Sequence, residues 1–110
     1  MTMIDIAALD DIPRDGARVV RTPQGCIAIF RTADDQVYAV DDRCPHKGGP
    51  LSEGIVHGGL VTCPLHGMVF DLATGLAQGG DEASVSTYAA SVEGGRVFLA
   101  ADYLARRSAA

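Results

Sequence analysis

Residues 44–66 read CPHKGGPLSEGIVHGGLVTCPLH, and this stretch decides how the rest of the chain is interpreted. It opens on Cys44-Pro45-His46 and closes on Cys63-Pro64-Leu65-His66, with sixteen residues between His46 and Cys63. Two short apolar runs, Ile55 to His57 and Leu60 to Thr62, lie inside it and flank Gly58-Gly59. A two-residue glycine connection accepts positive φ at both positions and so reads as a tight β-hairpin. The arms of that hairpin bring the two Cys/His segments back side by side, each at a loop tip.

The same rhythm extends outward. Ala17 to Thr22, Cys26 to Thr32 and Val37 to Val40 read as strands, with a hairpin around Ala33 to Gln36. Met68 to Leu72, Val85 to Ser91 and Arg96 to Ala101 continue the pattern. Thirteen glycines and five prolines punctuate these runs, which predicts an all-β chain of antiparallel strands. Helix is limited to one turn over Leu9 to Arg14, cut short by Pro13 and Gly16. Gly75 to Ser84 is expected to be the most mobile loop, and residues 102–110 read as a tail.

The chain has 110 residues, enough for one core, so 1–110 is read as a single domain, with both Cys/His segments in the part about 43–72. Fourteen acidic against nine basic side chains leave a net charge of -5. That balance argues against nucleic acid or an anionic membrane as partner and favours a protein with a basic docking face. No run approaches the ~20 apolar residues of a membrane span, and Met1 to Asp5 lacks the features of a secretory signal. A cytoplasmic location is expected. Three cysteines give no full disulfide framework; Cys26, in an apolar run, is expected to be buried.

Two cysteines and two histidines on neighbouring loops make a four-ligand metal site from Cys44, His46, Cys63 and His66. A structural zinc site remains open, although zinc fingers pair cysteines and histidines on separate local elements. One Cys and one His per loop suits a binuclear [2Fe-2S] centre, with thiolates on one iron and imidazoles on the other. Glycines at 48, 49 and 67 let backbone N–H groups approach the sulfurs. Two ferric ions, two sulfides and two thiolates sum to zero, so reduction is easier than in an all-cysteine cluster.

On these motifs the chain resembles a Rieske [2Fe-2S] domain over nearly its full length. The resemblance implies stacked antiparallel sheets, a cluster-binding subdomain of two loops, and ligand roles for Cys44, His46, Cys63 and His66. High-potential members add a disulfide over the cluster and hydroxyl donors. Here Met68 stands at the serine position and Phe70 at the tyrosine position, which implies a potential toward the low end of the family. Cys44 to Ser52, followed by Gly54 to Gly58, is similar to the small subunit of assimilatory NAD(P)H-dependent nitrite reductases. This implies an electron-transfer subunit, an enzyme component beside a large flavin and sirohaem subunit that reduces nitrite to ammonium. The chain has no dinucleotide fingerprint of its own. The alternative is a ferredoxin passing electrons from a flavin reductase to a terminal oxygenase. The third shielding loop departs from the family: Gly75 to Ser84 has no proline, and Ala89 follows Tyr88.

Four further readings come from residue type and place. His57, beside the turn, is expected to be exposed and no ligand. Arg43 and Lys47 flank the first loop as solvated charges or as contacts to an acidic partner. Asp34-Asp35 and Asp41-Asp42 are expected to be solvated turn surface. Pro50 and Leu65 are expected to keep water from the cluster.

Overall fold

The computed structural model describes residues 3–22, 25–43, 49–64, 67–79 and 83–100. Among these residues ten strands run β1 (Met3–Ala8), β2 (Gly16–Thr22), β3 (Gly25–Arg31), β4 (Val37–Asp41), β5 (Ile55–His57), β6 (Leu60–Thr62), β7 (Val69–Asp71), β8 (Thr87–Tyr88), β9 (Ala90–Glu93) and β10 (Arg96–Ala100). They form three antiparallel sheets, ordered β1-β10-β9, β2-β3-β4-β8 and β5-β6-β7. The expected all-β stack of antiparallel sheets is what the chain adopts.

The four-stranded sheet is the middle layer, and β3 shows why. Ile27 to Arg31 are all buried, so this run has no solvent face, as an unbroken apolar run demands. Strand side chains alternate between faces. Ile27 and Ile29 therefore enter one core with Ala39, Tyr88, Val97 and Leu99, which joins the middle sheet to β10. Ala28 and Phe30 enter the other with Val40, Leu51, Val56, Val61, Cys63, Phe70 and Leu72, which joins it to the three-stranded sheet β5-β6-β7.

Several strands match the sequence reading closely, including β5 and β6 around Gly58-Gly59, where Gly58 has φ +62°. Three expectations are corrected. β1 was not foreseen; it pairs with β10 across the whole chain, Met3 against Ala100. Val85 to Ser91 is not one strand: Thr87–Tyr88 pairs with β4 and Ala90–Glu93 with β10. The chain changes sheets at Ala89, whose carbonyl accepts the Ala100 N–H at 2.9 Å. The described part of the 75–84 loop is bonded down rather than loose. Ala77 N–H donates to Ala83 O at 3.0 Å, Gln78 N–H to Val69 O and Val85 N–H to Gly75 O, both at 2.8 Å. The tail at 102–110 lies outside the described residues.

The predicted turn at Leu9 to Arg14 is a short 3-10 turn over Leu9–Asp11, and it is docked by a buried cation. Arg31 donates to Leu9 O at 3.1 Å and Ile12 O at 2.8 Å, and pairs with Asp35 at 2.8 Å. Arg14 also binds Asp35. Hydrogen bonds from Arg14 first and then Arg31 hold the Asp35 carboxyl below its ordinary value.

Gly54 is fixed by space rather than by φ. A Cβ there would stand 2.2 Å from Thr62 O and 3.1 Å from Leu51 O, so the backbone after the first loop presses against the residue before Cys63. Gly54→Ala is expected to destabilise the fold by about 2 kcal/mol through overpacking, read as a lower urea midpoint at unchanged slope.

Candidate metal centre

The second loop leaves β6 at Cys63, which is 1% exposed and packs with Leu51, Val61 and Phe70. Its N–H donates to Met68 O at 2.7 Å, and its carbonyl accepts the Gly67 N–H at 3.1 Å. The chain thus turns from Cys63 to Met68 in a closed main-chain loop. Gly67 makes the return with φ +70°, a conformation that costs little without a Cβ.

The first loop leaves β4 at Asp41 and Asp42. Asp41 N–H donates to Ser86 O and Asp42 N–H to Cys26 O, both at 3.0 Å. The Asp41 carboxylate accepts the Tyr88 hydroxyl at 2.6 Å. The chain returns at Leu51, which is fully buried, and Ser52. Ser52 donates twice to Asp42, from its N–H at 2.7 Å and its hydroxyl at 2.9 Å. Gly54 then lies against Thr62, and β5 runs beside β6 with Ile55 opposite Thr62. The stems of both loops therefore meet at one end of the three-stranded sheet.

Of the four residues expected as ligands, Cys63 lies at this junction, while Cys44, His46 and His66 lie outside the described residues, as do Lys47 and Leu65. Among the described residues no three His, Cys, Asp or Glu side chains gather as a metal site. The donor chemistry nonetheless fits a thiolate-ligated cluster, because a buried cysteine fixed through both backbone groups and its core packing stands at the neck of a closed loop. Among the loop's described residues Leu51 is buried and Pro50 half-buried.

His57 is exposed, as expected, and its Nε2 lies 2.8 Å from Thr62 Oγ1. Two other readings are corrected. Cys26 is exposed: it occupies the second rung of β3, opposite Arg21, which is also exposed, so this end of the sheet is uncovered. The paired aspartates are not simply solvated. Asp35 binds two arginines, Asp34 accepts the Thr32 hydroxyl, Asp41 holds Tyr88 and Asp42 holds Ser52. These contacts span 2 to 47 residues; the longer ones carry no local sequence signal. A groove of about 490 Å³ runs along Gln36 to Ala39 and Thr87 to Ala90, with Leu72 in its wall, and no described residue of either loop lines it.

No helix among the described residues is long and apolar enough to cross a membrane. The family profile described as a Rieske-like [2Fe-2S] domain matches residues 2–100. The ferredoxin component of naphthalene 1,2-dioxygenase/salicylate 5-hydroxylase systems from Ralstonia sp. is 35% identical over 97 residues, 87% of this chain and 92% of that protein. A 45-residue stretch is 53% identical to a 4beta-methylsterol monooxygenase of Methylococcus capsulatus, covering 41% of this chain and 12% of that protein. A crystal structure assigned as a nitrite reductase NADPH small subunit superposes with a TM-score of 0.82 at 30% identity, over 92% of this chain and all of that one.

The burial difference between the two described cysteines gives a direct check. Iodoacetamide is expected to label Cys26 in the native protein and to reach Cys63 only after unfolding, as peptide mass mapping would report.

Proposed function

The chain belongs to the Rieske-like [2Fe-2S] domain family, and from that premise we propose that it is the electron-transfer small subunit of an NAD(P)H-dependent nitrite reductase. The cofactor is a Rieske-type [2Fe-2S] cluster, which when bound supplies reversible one-electron transfer. We assign its ligands as Cys44 and Cys63 for one iron and His46 and His66 for the other. The contact of Gly54 with Thr62 O supports this set, because it places the end of the first loop beside the start of the second.

The observation that carries the subunit reading is the superposition, at a TM-score of 0.82, on all of the chain assigned as a nitrite reductase small subunit. The nitrite-reducing site and the nicotinamide site belong, on this reading, to a large flavin and sirohaem subunit. A second reading has its own support. The 35% identity to a dioxygenase-system ferredoxin, across 92% of that protein, fits a ferredoxin between a flavin reductase and a terminal oxygenase.

This chain's residues also set the electronic environment. Phe70 is fully buried and Met68 packs against the same core, so neither position offers a hydroxyl to a cluster sulfur. A potential toward the low end of the Rieske range follows.

His66→Cys is expected to lower the reduction potential, because an added anionic ligand opposes reduction. Protein-film voltammetry would measure it, and an unchanged or raised potential would refute His66 as a ligand. Tagged protein recovered from its host grown on nitrate is expected to bring down a sirohaem flavoprotein with NAD(P)H-dependent nitrite reduction. A brown protein recovered without that subunit or activity would transfer the assignment to the ferredoxin.

A further inference from the structure

We infer that Asp42 and Ser52 form a positioning clasp that fixes the first cluster loop relative to the second. The inference rests on the reading of Cys44 and His46 as ligands, and it concerns how the chain holds them. Nine residues, 43–51, separate the two partners. The Asp42 Oδ1 accepts the Ser52 N–H at 2.7 Å and Oδ2 accepts its hydroxyl at 2.9 Å. Both residues are half-buried, and hydrogen bonds to an ionised acceptor are the stronger kind.

The two loops are closed by different means. The second is closed by main chain, through the Cys63 N–H to Met68 O and the Gly67 N–H to Cys63 O. For the first, no main-chain hydrogen bond joins the two stems among the described residues. One carboxylate does so instead. Its own backbone is anchored, because Asp42 N–H donates to Cys26 O of β3, and Asp41 beside it is held by Ser86 O and the Tyr88 hydroxyl. Asp42 is thus a fixed post on the middle sheet, and Ser52 is the point held to it.

Ser52 also sits at the seam between the loops. Leu51 before it is sealed in the core with Cys63, and Gly54 after it lies against Thr62. Loosening Ser52 would let the loop's return drift relative to Cys63, and so change the spacing between the ligands of the two loops. The fold itself has other ties there: Leu51 burial, the Glu53 N–H to Pro50 O at 3.1 Å, and the Gly54 N–H to Leu51 O at 2.9 Å. The clasp therefore acts on the site more than on stability.

The test uses the holoprotein, and its first variant leaves the charge unchanged. Ser52→Ala is expected to broaden or shift the electron paramagnetic resonance signal of the reduced protein. It is also expected to release iron to bathophenanthroline disulfonate about tenfold faster, the factor that one hydrogen bond to a charged group carries. Ser52→Thr, which keeps the hydroxyl, is expected to restore both readouts, and circular dichroism should show Ser52→Ala folded, with a cooperative melt lowered by only several degrees. A parent-like signal and release rate in Ser52→Ala would overturn the clasp. If that variant does not assemble, Asp42→Asn carries the same expectation and is overturned by the same result. Histidine-nitrogen couplings in the parent's resonance check the ligand reading separately. Their absence refutes that reading, whereas their presence with a parent-like Ser52→Ala refutes the clasp alone.

Discussion

Burial of β3 on both faces is the constraint on which the remaining layers depend. Ile27 and Ile29 supply one core, and Ala28 and Phe30 the other. A strand with no solvent face must be covered twice, and different parts of the chain supply the two covers. The N- and C-terminal strands β1 and β10, with β9, cover one side. The hairpin that carries Cys63 covers the other. The stems of the two loops proposed to hold the cluster are therefore set against a core, and Cys63 itself belongs to that core. A change that loosened Phe30 or Phe70 would reach the site through packing rather than through any ligand.

The contrast between the strands that were legible in the sequence and those that were not has a physical basis. β3 reads as a continuous apolar run, and β5 and β6 announce themselves through Gly58-Gly59, so local chemistry was sufficient. β1 has two exposed residues, Ile4 and Asp5, in its centre, and its partner lies at the opposite end of the sequence. No local pattern encodes such a pairing. The break at Ala89 was hidden for a similar reason: residues 85–91 hold no glycine or proline to mark a turn, and only the competition of two sheets for them divides the run. At the proposed cluster site, residue type and spacing pointed to Cys63, but not to the fastening around it. An aspartate and a serine ten positions apart, or an aspartate and a tyrosine 47 apart, become partners only once the sheets have stacked.

Cys26 shows the limit of reading burial from composition. Its neighbours Ile27 to Phe30 are all fully buried, and a sequence window assigns the cysteine to the same run. Burial, however, depends on what covers each rung. Cys26 lies near the end of the β2-β3 pair, opposite an exposed arginine, where the covering layer has stopped. One rung makes the difference between core and solvent.

The two ends of the molecule are fastened by different chemistry. Away from the metal loops, Arg14, Arg31 and Arg96 are joined to Asp35 and Asp5, and the Asp5–Arg96 and Arg14–Asp35 pairs are open to solvent, where salt screens them. At the loop end, the fastenings include main-chain hydrogen bonds, the Tyr88–Asp41 bond and the Asp42–Ser52 pair, the last two partly buried. Partly buried bonds of this kind respond less to ionic strength than exposed ion pairs do. The exposed ion pairs are thus the salt-sensitive contacts, and the side-chain fastenings of the first loop's stems are the better insulated ones.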